Sequence, residues 1–286
     1  RGRREHPFYA GQQARALAHC GRVDPESLAD YLARGWDAQW VNCIEKAPAD
    51  LGKQVLSNLL GAGFRGIVYP VSFSVESVSG VPTYPDLTSL PKIPDLAVIC
   101  APAREVPRVV QECGEAGVPT AIVISAGFKE VGGPGAEMEK ELVEIADKYG
   151  IYFLGTNCIG LTNPHHKLNT TFMEYEGSPG FIGMASQSGS FVTQMFNYIS
   201  KLGLGFSTAF SVGNEAKIDI VDCLAYLGAC PHTKVIGLYI EGIRRGRAFV
   251  ETARSIAPHK PIVALYVGGT ETGKRAGFSH TGALAG

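Results

Sequence analysis

The chain has 286 residues, more than the ~100–200 that one domain usually takes, so two domains are expected. Apolar residues make up 45% and charged residues 19%, which excludes a disordered chain. A formal net charge of -1 excludes bulk attraction to nucleic acid or membrane, and no segment reaches the ~18 apolar residues that cross a bilayer.

Residues 12–34 read as two short helices, with Asp24 capping a helix that opens on Pro25. From Leu51 a regular rhythm begins. GKQVLSNLLGAGF (52–64) reads as a helix with Val55, Leu59 and Leu60 on one face, and GIVYPV (66–71) as a strand. DLAVICA (95–101) reads as a buried strand, VPRVVQECGEAG as a helix closed by Gly117, and PTAIVISA (119–126) as a strand. GAEMEKELVEIADKYG, a helix closed by Gly150, leads into the strand IYFLGTN. Residues 161–180 lack periodicity and read as a linker. The alternation then resumes: strands at 180–186, 206–212, 234–241 and 261–267 are separated by helices over 189–203, 219–229 and 246–257. Strand-helix alternation predicts an α/β protein of two doubly wound parallel units, and the resemblance described below makes the first, 47–160, a Rossmann-like domain and the second, 181–286, a flavodoxin-like domain expected to be incomplete at its C-terminus. Residues 1–46 are left as a helical extension and junction.

In open parallel sheets the working groups gather at the carboxyl ends of strands. ASQSGS (185–190) ends a strand and opens a helix, so backbone N–H groups and the helix dipole make an anion site there; an ordinary N-cap is the alternative. Glu241 closes a buried strand and suits either the orientation of an imidazole or a structural ion pair. His280 sits in the bare loop GFSHTGALAG, open to attack by a large group. Together these three suggest a histidine that carries phosphate. Asn157 and Cys158, in GTNCIG, face the expected domain junction. GGTETGKR (268–275) mimics a P-loop, but Arg275 stands where a Ser or Thr must hold magnesium. No G-x-G-x-x-G follows a strand, seven scattered cysteines read as reduced thiols in the cytoplasm, and the adjacent His165 and His166 lack partners at zinc-site spacings.

These blocks, in this order across residues 47–286, resemble the alpha subunit of NDP-forming acyl-CoA synthetases, the acetate–CoA ligase relatives of succinyl-CoA synthetase. The resemblance implies a CoA-binding first domain and a second domain whose histidine, His280 here, is phosphorylated. It implies that Glu241 holds the ring and that the helix start of Ser186, Gln187, Ser188 and Gly189 receives the phosphoryl group. Gly52, Lys53, Ser125, Ala126, Asn157 and Cys158 are then the positions expected around coenzyme A. The implied reaction interconverts acyl-CoA, phosphate and ADP with a small carboxylic acid, CoA and ATP, through an acyl phosphate. A separate ATP-grasp beta domain or subunit, in a homo- or hetero-oligomer, would hold ATP or ADP with magnesium.

Three departures stand against the family pattern. Cys43-Ile44-Glu45 replaces a Gly-Ala-Ser turn, Ser72-Phe73-Ser74 replaces Asn-Pro-Lys, and Tyr266 replaces a lysine. The first two weaken the expected hold on the CoA nucleotide; Cys43-Ile44-Glu45 favours a rival reading as a non-catalytic CoA-responsive or scaffold module, against which His280 and Glu241 stand. Residues 1–34 resemble instead the lead-in of the 51 kDa-type flavoprotein subunits of NADH dehydrogenase, which alone suggests an NAD-linked oxidoreductase component.

Overall fold

The computed structural model describes residues 48–72, 74–175 and 177–267. The helices expected over residues 12–34, Cys43-Ile44-Glu45, the P-loop-like run and His280 lie outside the described residues.

Helix α1 (Pro48–Gly61) leads into the short hairpin of β1 (Ser77–Val78) and β2 (Val81–Pro82). The strand expected at 66–71 does not form; its one ladder contact is a bridge between Val71 and Tyr84. Pro70 has no N–H to give a ladder, which outweighs the β-branched run before it. Then β3 (Leu96–Ile99), helix α2 (Val106–Ala116), β4 (Thr120–Val123), helix α3 (Gly133–Tyr149) and β5 (Tyr152–Gly155) alternate as the sequence predicts. Both helices close on a left-handed glycine, Gly117 at φ 83° and Gly150 at φ 69°, a conformation that costs any other residue strain. The three strands are parallel in the order β3-β4-β5. The apolar faces of α2 and α3 bury Val106, Val110, Leu142 and Ala146 against Ala121, Val123 and Phe153 of the sheet.

The second sheet has six strands: β6 (Gly160–Asn163), β7 (Leu168–Asn169), β8 (Ile182–Ser186), β9 (Phe206–Ser211), β10 (Val235–Ile240) and β11 (Ile262–Tyr266). Their order is β11-β10-β8-β9-β6-β7. The first four neighbours are parallel, but β6 runs antiparallel to β9 and β7 antiparallel to β6. Two expectations are corrected here: the segment 161–180 contributes strands rather than only a linker, and the second sheet is mixed at that edge. Strands so short carry too little alternation to be read from sequence. Helices α4 (Gly189–Lys201), α5 (Ile220–Ala229) and α6 (Gly246–Ile256) make the crossovers.

From β8 the chain passes through α4 to β9 on one side; from β10 it passes through α6 to β11 on the other. The direction of winding therefore reverses between β8 and β10, and a crevice opens beyond their carboxyl ends, where doubly wound sheets take ligands.

The two sheets are tied together. Segment 214–218, which follows β9, lies along β5: Asn214 N–H donates to Thr156 O (2.9 Å), Ala216 N–H to Gly155 O (2.9 Å) and Ile218 N–H to Phe153 O (3.1 Å). Gly213, at φ 59°, makes this approach possible, since a Cβ there would stand 2.1 Å from Thr156 O.

Candidate functional site

The crevice between β8 and β10 is built from both strand ends. Ser186 closes β8 and is fully buried; its Oγ donates to Ser188 O (2.8 Å) and accepts from Ser188 N–H (3.1 Å). Ser188 is the N-cap of α4, its Oγ accepting from Phe191 N–H (3.5 Å). Helix geometry leaves the next N–H groups, those of Gly189 and Ser190, without an intrahelical acceptor, at the positive end of the dipole. A side chain at 189 would press on Ile159 at 3.0 Å, so the helix start packs closely only with glycine there. Phe191 stacks on Tyr239 of β10 (4.6 Å), which fixes the helix start to the far wall.

Gln187 spans the crevice. Its Oε1 accepts from the N–H groups of Glu241 and of Gly242 (3.1 Å), while its Nε2 donates to Gly242 O (2.7 Å). Both acceptor sites and one hydrogen of the amide are thereby used. Gln187 was expected to bind phosphate; in the structure its side chain ties the turn after β8 to the end of β10.

Glu241 follows β10 and is 4% exposed. Glu215, equally buried, occupies a left-handed position at φ 56°, and its Oε1 accepts from Ile220 N–H (2.7 Å). Burial pushes the Glu215 carboxyl up to about 7, against the opposing pull of Gln187, the Ile220 N–H and Arg244. Nearby, Asp219 caps α5 and is gripped by Arg245 through both oxygens (2.6 Å from Nε). Burial alone would raise the Asp219 carboxyl, yet the Arg245 guanidinium and two helix N–H groups hold it below its ordinary value.

The residues expected around coenzyme A lie at the carboxyl ends of β3, β4 and β5. Gly52 of α1 faces Cys100, and Lys53 beside it is exposed. Ser125 Oγ donates to Ala101 O (2.6 Å), and Ala126 is exposed. Asn157, left-handed at φ 52°, donates its N–H to Ser125 O (2.9 Å). The Cys158 thiol is buried against Val123 O (3.4 Å), and burial pushes it up to about 12, so it stays neutral. These positions converge on one sheet end, but Cys158 is packing there.

Sequence reasoning passed over the segment VGNEA (212–216). Asn214 Nδ2 donates to Glu139 (2.8 Å), Glu130 (2.6 Å) and Thr156 Oγ1 (2.9 Å), and Thr156 donates to Glu139 (2.7 Å), forming a buried polar knot between the sheets. The strand-end rule that singled out Glu241 applies equally to Glu215, and would have found it.

Comparison with known proteins agrees with this geometry. Residues 44–164 match the CoA binding domain family, and residues 179–286 match the succinyl-CoA ligase like flavodoxin domain. The alpha subunit of ADP-forming acetate–CoA ligase II of Pyrococcus furiosus is 44% identical over 239 residues, 84% of this chain and 52% of that protein. ADP-forming acetate–CoA ligase I of Archaeoglobus fulgidus is 42% identical over 236 residues, 82% of this chain and 34% of that protein. The dinucleotide forming acetyl-coenzyme A synthetase 1 of Candidatus Korarchaeum cryptofilum, solved with phosphate and ADP, aligns with a TM-score of 0.77 at 41% identity, over 82% of this chain and 50% of that one. The class is thus a CoA binding domain joined to a succinyl-CoA ligase like flavodoxin domain. Within it, the chain belongs to the alpha-type family of NDP-forming acyl-CoA synthetases. It spans between a third and about half of the length of these relatives.

Proposed function

We propose that this chain is the alpha-type part of an ADP-forming acyl-CoA synthetase, in which His280 carries the phosphoryl group. The observation that carries this reading is the crevice at the winding reversal, where the α4 helix start and the buried Glu241 face one another across the Gln187 bridge.

The described residues fit coenzyme A. Lys53 offers an exposed cation beside the close approach of α1 to Cys100, and the ends of β4 and β5 present Ala126 and Asn157. CoA would supply the thiol that makes the acid's carbonyl transferable. The chain's own residues do the rest. The N–H groups of Gly189 and Ser190 stabilise the charge of a phosphoryl group as it leaves an acyl phosphate. His280 takes that group on a ring nitrogen, with Glu241 holding the imidazole and balancing its positive charge. The reverse reaction runs through the same groups. Nucleotide and magnesium fall to an ATP-grasp partner, a small carboxylic acid is the other substrate, and the cytoplasm is the compartment. Cys100, Cys113, Cys158, Cys223 and Cys230 are free, which suits a reducing environment.

The test is incubation with labelled ATP and the ATP-grasp partner. The expected result is an acid-labile, base-stable phosphoryl group that disappears in His280→Ala while CoA binding persists. Unchanged labelling of His280→Ala would refute the assignment.

A further inference from the structure

We propose that Ile159 is the wall that sets which acid this crevice accepts. Its side chain stands between the end of β5 and the start of α4, and it limits the acyl group to a short aliphatic chain. The inference rests on the function proposed above, which puts the phosphoryl group on one side of Ile159 and the CoA thiol on the other.

Acyl transfer needs both reacting ends at one carbon. The carbonyl carbon of an acyl phosphate carries the phosphate oxygen, and the thiol sulfur must reach that same carbon. The acyl chain therefore lies where the two half-sites meet. That place is the connection from β5 to β6, residues 156–159. Thr156 and Cys158 turn back to the first sheet, Thr156 Oγ1 donating to Glu139 (2.7 Å) and Cys158 Sγ to Val123 O (3.4 Å). Asn157 stands at the carboxyl end of that sheet. Ile159, two residues later, turns to the second sheet. A Cβ on Gly189, the first residue of α4, would meet its Cγ2 at 3.0 Å. Ile159 is thus the apolar side chain of the connection that faces the phosphoryl site, and 9% of the residue stays open.

This wall cannot retreat. The Ile159 N–H donates to the Oγ of Ser211 (3.2 Å), a fully buried residue that ends β9. The next residue, Gly160, is pressed against the chain after β7: a Cβ there would stand 2.6 Å from Thr170 O. The Gly189 backbone closes the remaining side. β-Branching stiffens the side chain itself, since χ1 has few allowed wells. A rigid apolar wall selects by size. One methylene at such a wall is worth roughly 10–200-fold in kcat/KM. Acetate and propionate are short enough to stop before Ile159, whereas a branched or aromatic acid needs the volume that its side chain fills.

The test uses the full chain with its ATP-grasp partner, labelled on His280 from ATP, and follows loss of the label when CoA and one acid are added. The nitrogen–phosphorus bond breaks as a carboxylate oxygen bonds phosphorus, and its electron pair returns to the ring. The thiol sulfur then bonds the carbonyl carbon, the carbon–oxygen bond breaks, and phosphate leaves with the thiol proton. Acetate, propionate, isovalerate and phenylacetate are compared as rate ratios within one preparation, so a general loss of stability cancels. Wild type is expected to favour acetate and propionate over isovalerate and phenylacetate by roughly tenfold or more. Ile159→Ala is expected to reduce that ratio by roughly tenfold or more, and Ile159→Val by a smaller factor. If Ile159→Ala fails to fold, Ile159→Val decides, and isovalerate must gain on acetate. Unchanged ratios, or a labelled wild type that prefers phenylacetate, would overturn the role of Ile159 and leave the function proposed above standing. A wild type that takes no label would refute that function, and the role of Ile159 with it.

Discussion

Replacing Glu215 by glutamine should change how stability depends on pH, without any ligand or partner present. Its carboxyl is raised from 4.5 to about 7, chiefly by burial. A carboxyl whose folded value lies above its unfolded value favours the protonated chain when folded. Its contribution is complete below pH 4.5 and is lost as pH rises toward 7. At about 1.36 kcal/mol per pH unit, a shift of this size amounts to about 3 kcal/mol, most of it lost between pH 5 and 8. The residue is only 4% exposed, which leaves little solvent screening to reduce that figure. Urea denaturation of wild type and Glu215→Gln at pH 5, 6, 7 and 8 measures it. Glutamine mimics the neutral acid at every pH, so the stability difference should swing by 2–3 kcal/mol toward the variant as pH rises. Parallel curves would mean that Glu215 ionises normally, and the account of its environment would fail.

Four further outcomes follow from the packing. Gly213→Ala places a Cβ 2.1 Å from Thr156 O at a φ of 59°, and should cost more than about 2 kcal/mol or prevent folding, read by thermal melting. Asn214→Ala strips donors from the buried Glu139, with an expected loss of about 2–3 kcal/mol and faster hydrogen exchange at Ala216 and Ile218. Leu142→Ala empties a fully buried site under the first sheet and should cost about 2–5 kcal/mol in chemical denaturation. Arg245→Met releases Asp219; the chain should then lose stability at a higher pH on acidification than wild type does, because the depressed carboxyl contributes only above its folded value.

Much of this architecture is written in local chemistry. Gly117 and Gly150 mark helix ends because each must be left-handed, and both ends fall there. The core of α2 and α3 follows from apolar spacing alone. GIVYPV misleads because β-branched residues promise a strand while Pro70 withholds a donor, and neither fact says whether a neighbouring strand exists to pair with. Strands β6 and β7 were illegible for another reason: two to four residues in an antiparallel edge are defined by what they pair with, here Ala209, Phe210 and Ser211 of β9 for β6, and Thr162 and Asn163 of β6 for β7. In the crevice, Ser188 and Glu241 were legible because each ends a strand or opens a helix. Gln187 was legible as part of the turn that opens α4, but only three dimensions reveal that the Glu241 and Gly242 peptide takes up its amide. Asn214 and Glu215 carry no local signal of burial in the sequence, and their burial arises from packing against elements distant in sequence.

The strap of residues 214–218 along β5 bears on how such chains are taken apart and recombined. A parallel sheet normally guards its last strand with a helix or with charge, because bare peptide groups invite pairing with other molecules. Here the guard on the first sheet's edge is supplied by the second sheet's own connection. An excised first domain would carry an open edge at Tyr152–Gly155, prone to self-association, and a transplanted second domain would leave Asn214 with no carboxylates to serve. Cutting between the sheets therefore severs two folding units that complete each other, and shuffled variants should remain monodisperse only when both halves come from the same parent.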